Sequence, residues 1–364
     1  MTVTEPDDVA TIRRLASECR LDERRSPPWA RPATACHPIV VVVVRNEIGR
    51  LPAFLHHHRR AGIENFVFLD NESTDGTVDL LSAQPDVRLF ATPEGFDWRR
   101  KHGWIMQIVE RLGRDNWYLL LDADEHCVFA DCETTSLPDL VAILEAAGRR
   151  RARGALIDMY PDGPLVSTEP SRQPIHRDHV WFDAGPYPEH RNGFATSRTG
   201  GPRARAFCGV DPRFRPQLTK YPLLKPVAGD IAYNPHLVWP PDDHADDPCW
   251  IGLLHYKFDG DFLARTADAV RRRQYWNDSF EYAVYHEALR RNPLLSLSWH
   301  GSRRYSGSQD LLAAGLIAPL PGGSPARDPS EELAAALDLA ATRRRAELLA
   351  AACLGRPQPV PMAR

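Results

Sequence analysis

Short apolar runs alternate with helical patterns through the first half of the chain. The continuous β-branched run at Ile39–Val44 is typical of a strand that is buried on both faces. Because strands and helices alternate at short spacing, the pattern predicts βαβ units, a mostly parallel sheet flanked by helices and an α/β fold class. Further strands are predicted at residues 66–69, 87–91, 118–121 and 155–160, and helices at 51–61, 77–81, 101–112 and 137–147.

The pattern is weaker outside this half. Thr4 and Asp7 resemble a capping box before a short helix, and a linker rich in Pro and Arg follows at 25–32. Residues 160–250 are rich in Pro, Gly, Arg, His and aromatic residues and show little periodicity, which predicts an irregular binding region. Their aromatic content argues against disorder. A helical pattern returns at 260–290.

The C-terminal part is predicted to hold one more helix. It would start at a second capping box, Asp328 with Glu331, and run to about Cys353. These patterns divide the chain into four regions. They are an N-terminal helix and linker at 1–36, a βα half at 37–160, an irregular half at 161–290 and a helical extension at 291–364.

Composition narrows the function classes. Of the 364 residues, 43% are hydrophobic and 26% are charged, which supports a soluble core, and the net charge of -3 gives no case for a nucleic-acid partner. No stretch approaches the roughly 20 apolar residues that span a bilayer, so at most a peripheral membrane contact is expected. The acidic N-terminus and 7 scattered cysteines without a C-x-x-C pair predict a reduced, cytoplasmic protein.

Polar residues stand at the ends of three predicted strands. They are Arg45-Asn46-Glu47, Asp70-Asn71 and Asp122-Ala123-Asp124. In sheets of this kind, ligands bind outside the carboxyl ends of the strands. Asp122 and Asp124 are two residues apart and would project together from an extended segment, where their charges repel unless something neutralises them. A hard divalent cation would do so and would also carry a phosphate, whereas the alternative is a polar turn with the acids as caps.

These strand-end residues carry a family resemblance. The chain resembles a family 2 type glycosyltransferase with the GT-A fold, and more narrowly the bacterial branch with R/K-N-E, D-N-x-S-x-D-G-T and D-x-D-E loops. A later H-Y/F-K-F element is matched by His255-Tyr256-Lys257-Phe258. The match covers about residues 38–290. Asn71 departs from the commoner D-D-G-S form of the second loop, in which an acid stands at this position.

The resemblance implies a metal-dependent transfer of a sugar from an NDP-sugar, with UDP-sugar preferred, to a glycan, lipid or protein. Asp124 would ligate Mn²⁺ or Mg²⁺, Asp122 would hold the ribose or share the metal, and His255 would contribute a ligand from the far side of the site. Because a neutral imidazole suits Mn²⁺ better than Mg²⁺, manganese is preferred. Residues 37–160 would then be the nucleotide-sugar-binding half and 161–290 the acceptor-binding half.

The same resemblance assigns a nucleotide pocket. Its residues would be Arg45, Asn46, Glu47, Asp70, Asn71, Lys101, Asp122 and Lys257. Asp70 can accept hydrogen bonds from the ribose or base. Lys101 would approach the diphosphate beside a helix N-terminus, and Lys257 would add positive charge near the phosphates.

Inversion at the sugar is implied by resemblance only, and it requires a carboxylate base near the acceptor hydroxyl. Glu189 and Asp211 are candidates, and their spacing does not choose between them. Other polar positions have structural interpretations. Asp75 suits a turn and N-cap, Glu47 suits a first-turn partner of the helix dipole, and His236 and His255 suit structural histidines.

The consecutive histidines His56, His57 and His58 suggest a metal site, but helix geometry argues against it. Successive helical positions point about 100° apart, so three histidines in a row do not share one ion. Two other function classes stay open for the whole chain. One is a phosphohydrolase in which Asp122 is the nucleophile, and the other is a non-catalytic GT-A-like binding domain.

Overall fold

The computed structural model describes residues 4–28, 37–166 and 175–322, so the helix predicted from Asp328 to about Cys353 lies outside the described residues. The strands are β1 (Asp22–Arg25), β2 (Ile39–Val44), β3 (Asn65–Asp70), β4 (Val87–Ala91), β5 (Tyr118–Leu121), β6 (Glu125–Phe129), β7 (Arg151–Asp158), β8 (Trp181–Asp183), β9 (Glu189–Asn192), β10 (Ala195–Arg198), β11 (Thr219–Leu224), β12 (Ile231–Asn234), β13 (Leu237–Trp239), β14 (Cys249–His255) and β15 (Ser302–Arg304). The helices are α1 (Asp7–Glu18), α2 (Leu51–Arg60), α3 (Thr77–Ser82), α4 (Trp98–Leu112), α5 (Leu137–Ala146), α6 (Ile175–Asp178), α7 (Gly201–Phe207), α8 (Phe262–Arg272), α9 (Trp276–Arg291) and α10 (Ser308–Ala313).

Nine strands form one large sheet in the order β1-β4-β3-β2-β5-β11-β7-β14-β6. Six of them (β4, β3, β2, β5, β7 and β14) run in one direction, and β1, β11 and β6 run against them. The predicted α/β class with a mostly parallel sheet flanked by helices is therefore confirmed, and the architecture is consistent with a Rossmann-like GT-A fold. No helix in the described ranges is both long and apolar enough to cross a bilayer.

Strand β2 shows why the β-branched run is continuous. Successive strand residues face opposite sides of a sheet, and both sides are covered here. Val40 and Val42 pack with Phe54 of α2 and with α5, whereas Val41 on the other face packs with Trp104 of α4 and with α1. Because both faces are buried, no position of the strand needs a polar residue.

Several element boundaries differ from the sequence prediction for local reasons. Helix α4 starts at Trp98 rather than 101, because the Asp97 carboxylate caps it by accepting the backbone N–H of Arg99 (2.9 Å). The predicted capping role of Thr4 is wrong, since Pro6 is the N-cap of α1 and makes no side-chain capping bond. The predicted linker at 25–32 begins too early, because Arg25 belongs to the polar edge strand β1.

The prediction of an irregular region at 160–250 was wrong for β11, and strand β14, which begins at the end of that region, was not predicted. Strands β11 and β14 lie inside the central sheet, and both are buried along their length. Strand β11 contains Lys220 and Pro222, and these residue types are atypical of a central strand. The sheet accommodates them with a register shift between Lys220 and Leu223. Without β11 and β14, the residues of the site described below would not be brought together.

The consecutive histidines of α2 point in different directions, as helix geometry requires, with His56 exposed and His57 and His58 on different partners. His57 contacts the carbonyl of Cys127 through Nε2 (2.7 Å). His58 is fully buried: its Nδ1–H donates to the carbonyl of Phe54 (2.8 Å), and its Nε2 accepts the backbone N–H of Cys127 (3.3 Å). Only the neutral ring satisfies both contacts, and burial with the neighbouring His57 lowers the pKa of His58 well below its usual value of 6.5.

We expect His58 to make the protein acid-sensitive. Below pH 6.5 the unfolded chain takes up a proton at this ring and the folded protein does not, so stability falls as pH falls, by up to about 1.4 kcal/mol per pH unit. A glutamine side chain at this position can donate and accept hydrogen bonds without titrating. Chemical denaturation between pH 7 and pH 5 should therefore show a shallower decline for His58→Gln than for the wild type, and equal slopes would contradict this account.

Candidate active site

The site is built on the register of three neighbouring strands. Glu125 at the start of β6 lies opposite His255 at the end of β14, and His255 lies opposite Asp158 at the end of β7. The turn from β5 to β6 closes over them, because the backbone N–H of Tyr256 donates to the carbonyl of Asp124 (2.8 Å). Backbone pairing therefore places one imidazole in a row between two acids, next to the paired aspartates predicted from the sequence.

His255 is held in one orientation by Asp158. Its Nδ1–H donates to Asp158 Oδ1 (2.6 Å), and its Nε2 faces Asp124 Oδ2 at 3.5 Å. Burial lowers the pKa of His255, but Asp124 and Asp158 outweigh burial and raise it. A carboxylate behind one ring nitrogen directs the other nitrogen outward, which is the usual support of a histidine that binds a metal.

Asp158 is itself anchored by a buried ion-pair chain. Arg203 of α7 donates to Asp158 Oδ2 (2.8 Å) and to Glu281 of α9 (2.9 Å), and the hydroxyl of Tyr285 donates to Glu281. Burial raises the pKa of Asp158, and Arg203 and His255 outweigh burial and lower it, so the carboxylate is charged. The chain fixes the orientation of His255 from α7 and α9, which come from the half predicted to be irregular or helical.

Two lysines hold the first aspartate of the pair. Lys101 of α4 contacts Asp122 Oδ1, and Lys220 of β11 contacts Asp122 Oδ2 (3.0 Å) and the fully buried Glu125. Glu125 also accepts the backbone N–H of Asp122 (3.1 Å). Burial raises the pKa of Asp122, but Lys101 and then Lys220 hold it well below its usual range. The structure therefore places Asp122 against cations, while Asp124 faces His255.

The first and second predicted loops are joined to each other. The backbone N–H of Thr74 donates to Asn46 Oδ1 (2.7 Å), and the N–H of Asn46, at a φ of 58°, donates to Ser73 Oγ (2.9 Å). Asp75 accepts the N–H groups of Ile48 and Thr77, as its interpretation as a turn residue predicts. The side-chain oxygen of Asn46 therefore stabilises the conformation of the two loops.

The remaining pocket candidates lie around this joined pair of loops. Arg45 is half-exposed, 4.0 Å from Glu72, and buried Asp70 accepts the backbone N–H of Ser73 (3.2 Å). Asn71 is fully buried and donates to the carbonyl of Glu94 (2.8 Å). These residues line the carboxyl ends of β2 and β3, beside the end of β5 that carries Asp122.

Glu47 and Lys257 face the acid cluster from two sides. Glu47 pairs with Arg50 (2.6 Å), which also pairs with Asp259, two residues after Lys257. The Lys257 ammonium lies over the rings of Tyr282 (4.8 Å) and Tyr285 (5.4 Å), and burial lowers its pKa. Glu47 therefore takes part in a buried ion-pair network as well as heading α2.

The two candidate bases lie in other surroundings. Glu189 is exposed on β9 and pairs with Arg198 (3.2 Å), and Asp211 pairs with Arg213 (2.8 Å), whose hydrogen bond lowers the pKa of Asp211 to about 2. Within the described ranges, no hydrogen bond or ion pair joins either carboxylate to the Asp124–His255 pair. His236 is partly buried and contacts the carbonyl of Thr219 through Nδ1 (2.7 Å), as a structural histidine would.

Sequence reasoning missed Lys220, Asp158, Arg203 and Glu281. A signal for Lys220 was present in the composition. The chain has only four lysines among its 45 basic residues, at positions 101, 220, 225 and 257, and three of them lie at this site. An ammonium is a compact point charge with three rotatable donors, so Lys220 can contact Asp122 and Glu125 together. Asp158, Arg203 and Glu281 had no such signal, because only folding brings β7, α7 and α9 together.

The donor set fits a divalent cation. Asp124, Glu125 and His255 each offer one ligand atom, and these atoms lie within 4.8 Å of one another. Both oxygens of Glu125 already have hydrogen-bond partners, one of them Lys220. The ligand atoms that face each other directly are therefore Asp124 Oδ2 and His255 Nε2. One carboxylate and one imidazole are ligand types that Mn²⁺ accepts.

Comparisons with known proteins give no close relative. No protein-family model matches the sequence, and a search of the curated proteins finds no match. The crystal structure of S. aureus TarS 1-349 matches with 14% identity and a TM-score of 0.26, covering 40% of this chain and 40% of that chain. The crystal structure of 4-diphosphocytidyl-2C-methyl-D-erythritol synthase matches with 12% identity and a TM-score of 0.24, covering 77% of this chain and 97% of that chain. Likenesses this distant leave the function to be argued from the site.

We expect Lys220 to be a structural requirement of the site. In Lys220→Met, the carboxylate of Glu125 stays buried without its partner, so the free energy of unfolding should fall by about 3–5 kcal/mol. The double variant Lys220→Met/Glu125→Gln removes the unpaired charge and should recover part of that loss. Urea denaturation measures all three proteins.

Lys225→Met is the matched control. Its partner Glu145 is about one-third exposed, and a pair of that kind contributes about 0–1 kcal/mol. If Lys220→Met and Lys225→Met lose equal stability, the buried-pair interpretation is wrong.

Proposed function

We propose that this protein is a metal-dependent glycosyltransferase that moves a sugar from an NDP-sugar to a glycan, lipid or protein, with UDP-sugar as the first donor to test. The observation that carries the proposal is the meeting of Asp124 and His255 Nε2 at the carboxyl ends of the sheet, with His255 oriented by Asp158. Lys101 and Lys220 hold the neighbouring Asp122, and the charge of Lys257 acts on Asp124. A carboxylate, an imidazole and several cations together suit a nucleotide diphosphate that is held with a metal.

The chemical task is to stabilise charge that develops on the departing nucleotide diphosphate. When bound between Asp124 and His255, Mn²⁺ or Mg²⁺ would act as a Lewis acid toward the diphosphate oxygens. Lys257 is the cation best placed to contact phosphate, because its ammonium rests on tyrosine rings, whereas Lys101 and Lys220 are engaged with Asp122 and hold that carboxylate in place. Arg45 and Asp70 are then available to the nucleoside at the ends of β2 and β3.

The proposal assigns Asp122 to a different role from Asp124. Both Asp122 oxygens are engaged by lysines, so its role is to position Lys101 and Lys220 and to accept from the ribose, while Asp124 is the metal ligand. We propose Glu189 or Asp211 as the base that activates the acceptor hydroxyl, and we expect inversion at the transferred sugar. Residues 37–160 form the proposed donor half, 161–290 the acceptor half and 291–364 an extension.

The first test is nucleotide binding. A ligand that binds only the folded state raises the melting temperature, by the equivalent of about 2.7 kcal/mol at 100 times its Kd. We expect UDP with Mn²⁺ to raise the Tm of the wild type, and Asp124→Asn to abolish the shift while keeping the fold by circular dichroism. Asp75→Asn, whose side chain serves the turn, is the control and should keep the shift.

Other outcomes of that experiment favour other functions. Release of inorganic phosphate from phosphate esters, without any effect of UDP, would support a phosphohydrolase. Indifference to nucleotides and phosphate esters, with every variant folded, would leave a non-catalytic binding domain and would end the transferase proposal.

The second test concerns Asp158. Removing its charge in Asp158→Asn frees the His255 ring to rotate or change tautomer, so Mn²⁺ affinity should fall about 10–100-fold. The free Mn²⁺ signal in electron paramagnetic resonance measures this without any turnover. Asp230→Asn is the control, because Asp230 is equally buried but pairs with Arg151, which lies at the opposite end of β7 from Asp158. Equal affinity in Asp158→Asn and wild type would show that Asp158 has no role in orienting the metal ligand.

A further inference from the structure

A cavity lies at residues 273–279, called the loop below, which span the C-cap of α8 and the irregular first residues of α9. It has a volume of about 340 Å³, at the small end of the roughly 300–1,000 Å³ of ligand pockets. Three aromatic residues line it, Trp98 at the start of α4 and Tyr275 and Trp276 in the loop. The rest of its lining is polar: Asp97, Arg99, Arg273, Gln274, Asn277 and Asp278.

The two aromatic residues of the loop differ in exposure. Trp276 is 66% exposed, whereas Tyr275 is 37% exposed and packs on Phe96 with ring centroids 5.3 Å apart. The loop is closed on the inside, because the N–H of Ser279 donates to the carbonyl of Tyr275 (3.2 Å) and Ser279 is buried. Trp98, Tyr275 and Trp276 together line one solvent-open cavity, and such a grouping of aromatic and polar groups indicates a ligand site.

The backbone of the loop is strained. Asn277, Asp278 and Ser279 are consecutive residues with φ of 50°, 53° and 63°. Asn and Asp tolerate this left-handed conformation better than other residues, but three in succession are uncommon. Such strain persists where surrounding structure over-determines it, and it concentrates at ligand clamps and active sites. Here it turns the chain so that Trp276 stands at the mouth of the cavity rather than on the face of α9.

Ring contacts connect the cavity to the active site. Tyr275 packs on Tyr282 with ring centroids 4.6 Å apart, and the Lys257 ammonium lies 4.8 Å over the ring of Tyr282. The charges of Lys257, Glu47 and Asp122 all act on the Tyr275 phenol, whose pKa is raised first of all by burial. Tyr275 therefore connects the cavity, which it lines, to Tyr282 and Lys257 at the active site.

The lining chemistry identifies the class of ligand. A sugar ring presents C–H groups on its faces and hydroxyl groups on its rim, so it suits aromatic faces that are surrounded by carboxylate, amide and guanidinium groups. Because the proposed function assigns the donor diphosphate to the metal at Asp124 and His255, the exposed Trp276 is left for the second substrate. We propose that Tyr275 and Trp276, with the polar groups around them, form a binding subsite for a pyranose ring of the acceptor.

This inference deepens the proposed function and rests on it for the word acceptor, but its test needs no turnover. The probes are methyl α- and β-pyranosides of glucose, galactose, mannose and N-acetylglucosamine at millimolar concentration. Saturation-transfer NMR on the full chain should show transfer to the ring protons of at least one of them. In Trp276→Ala, affinity for that pyranoside should be about 2- to 10-fold weaker, whereas Trp276→Phe keeps a ring and should restore most of it.

Two controls make the result specific. Leu294→Ala removes an apolar side chain that is 75% exposed and lies outside the cavity lining, and it should leave the sugar signals unchanged. The Tm shift with UDP and Mn²⁺, measured on the same proteins, reports the donor site independently.

Absence of saturation transfer from every pyranoside, or equal transfer in wild type and Trp276→Ala, overturns the subsite. Weaker UDP–Mn²⁺ binding in Trp276→Ala also overturns it, by assigning the indole to the donor. If UDP and Mn²⁺ do not raise the Tm of the wild type while a sugar still binds, the transferase proposal is overturned and the sugar subsite stands.

Discussion

The site depends on the alignment of Glu125, His255 and Asp158 across β6, β14 and β7. A sheet register that slips by one residue turns every side chain of a strand to the opposite face. The hydrophobic residues along β14 and β7 resist such a slip, because both strands are buried along their whole length. Core packing thus fixes the position of an imidazole between two carboxylates, and the ion pairs with Lys220 and Arg203 make the burial of those carboxylates tolerable.

The sequence predicts the first half of this arrangement well for a physical reason. Strands β2 to β5 and the helices between them are local units, and a βαβ unit obeys one handedness rule, so short apolar runs and their polar ends suffice to place Arg45, Asp70 and Asp122 at one edge. Their role as a pocket does not follow from those patterns, and it was supplied by resemblance. Loop details, such as the use of Asn46 to cap Thr74, depend on contacts between loops and carry no pattern in the sequence.

The second half escaped prediction because its strands enter the sheet far from their sequence neighbours. Strand β11 inserts between β5 and β7, and β14 inserts between β7 and β6, so each pairs with strands that lie far away along the chain. Lys220 and Pro222 obscure β11, and the residues that meet at His255 come from strands β7 and β14 and helices α7 and α9. His255 itself was found only through its Tyr-Lys-Phe context, and the acid behind it had no motif.

The balance of charge in the cleft bears on why a metal would be needed. The acids Glu47, Asp122, Glu125 and Asp158 are each paired with a cation of this chain, Arg50, Lys101, Lys220 or Arg203. Such pairing leaves little net positive charge to attract a nucleotide diphosphate into a buried site, since a paired cation is already neutralised. Asp124 differs, because the group facing its carboxylate is the imidazole of His255, which can give up its proton to bind a metal. Under the proposed function, a divalent cation at this one position would reverse the local charge, and the mostly paired surroundings would confine that reversal to the place where a diphosphate would lie.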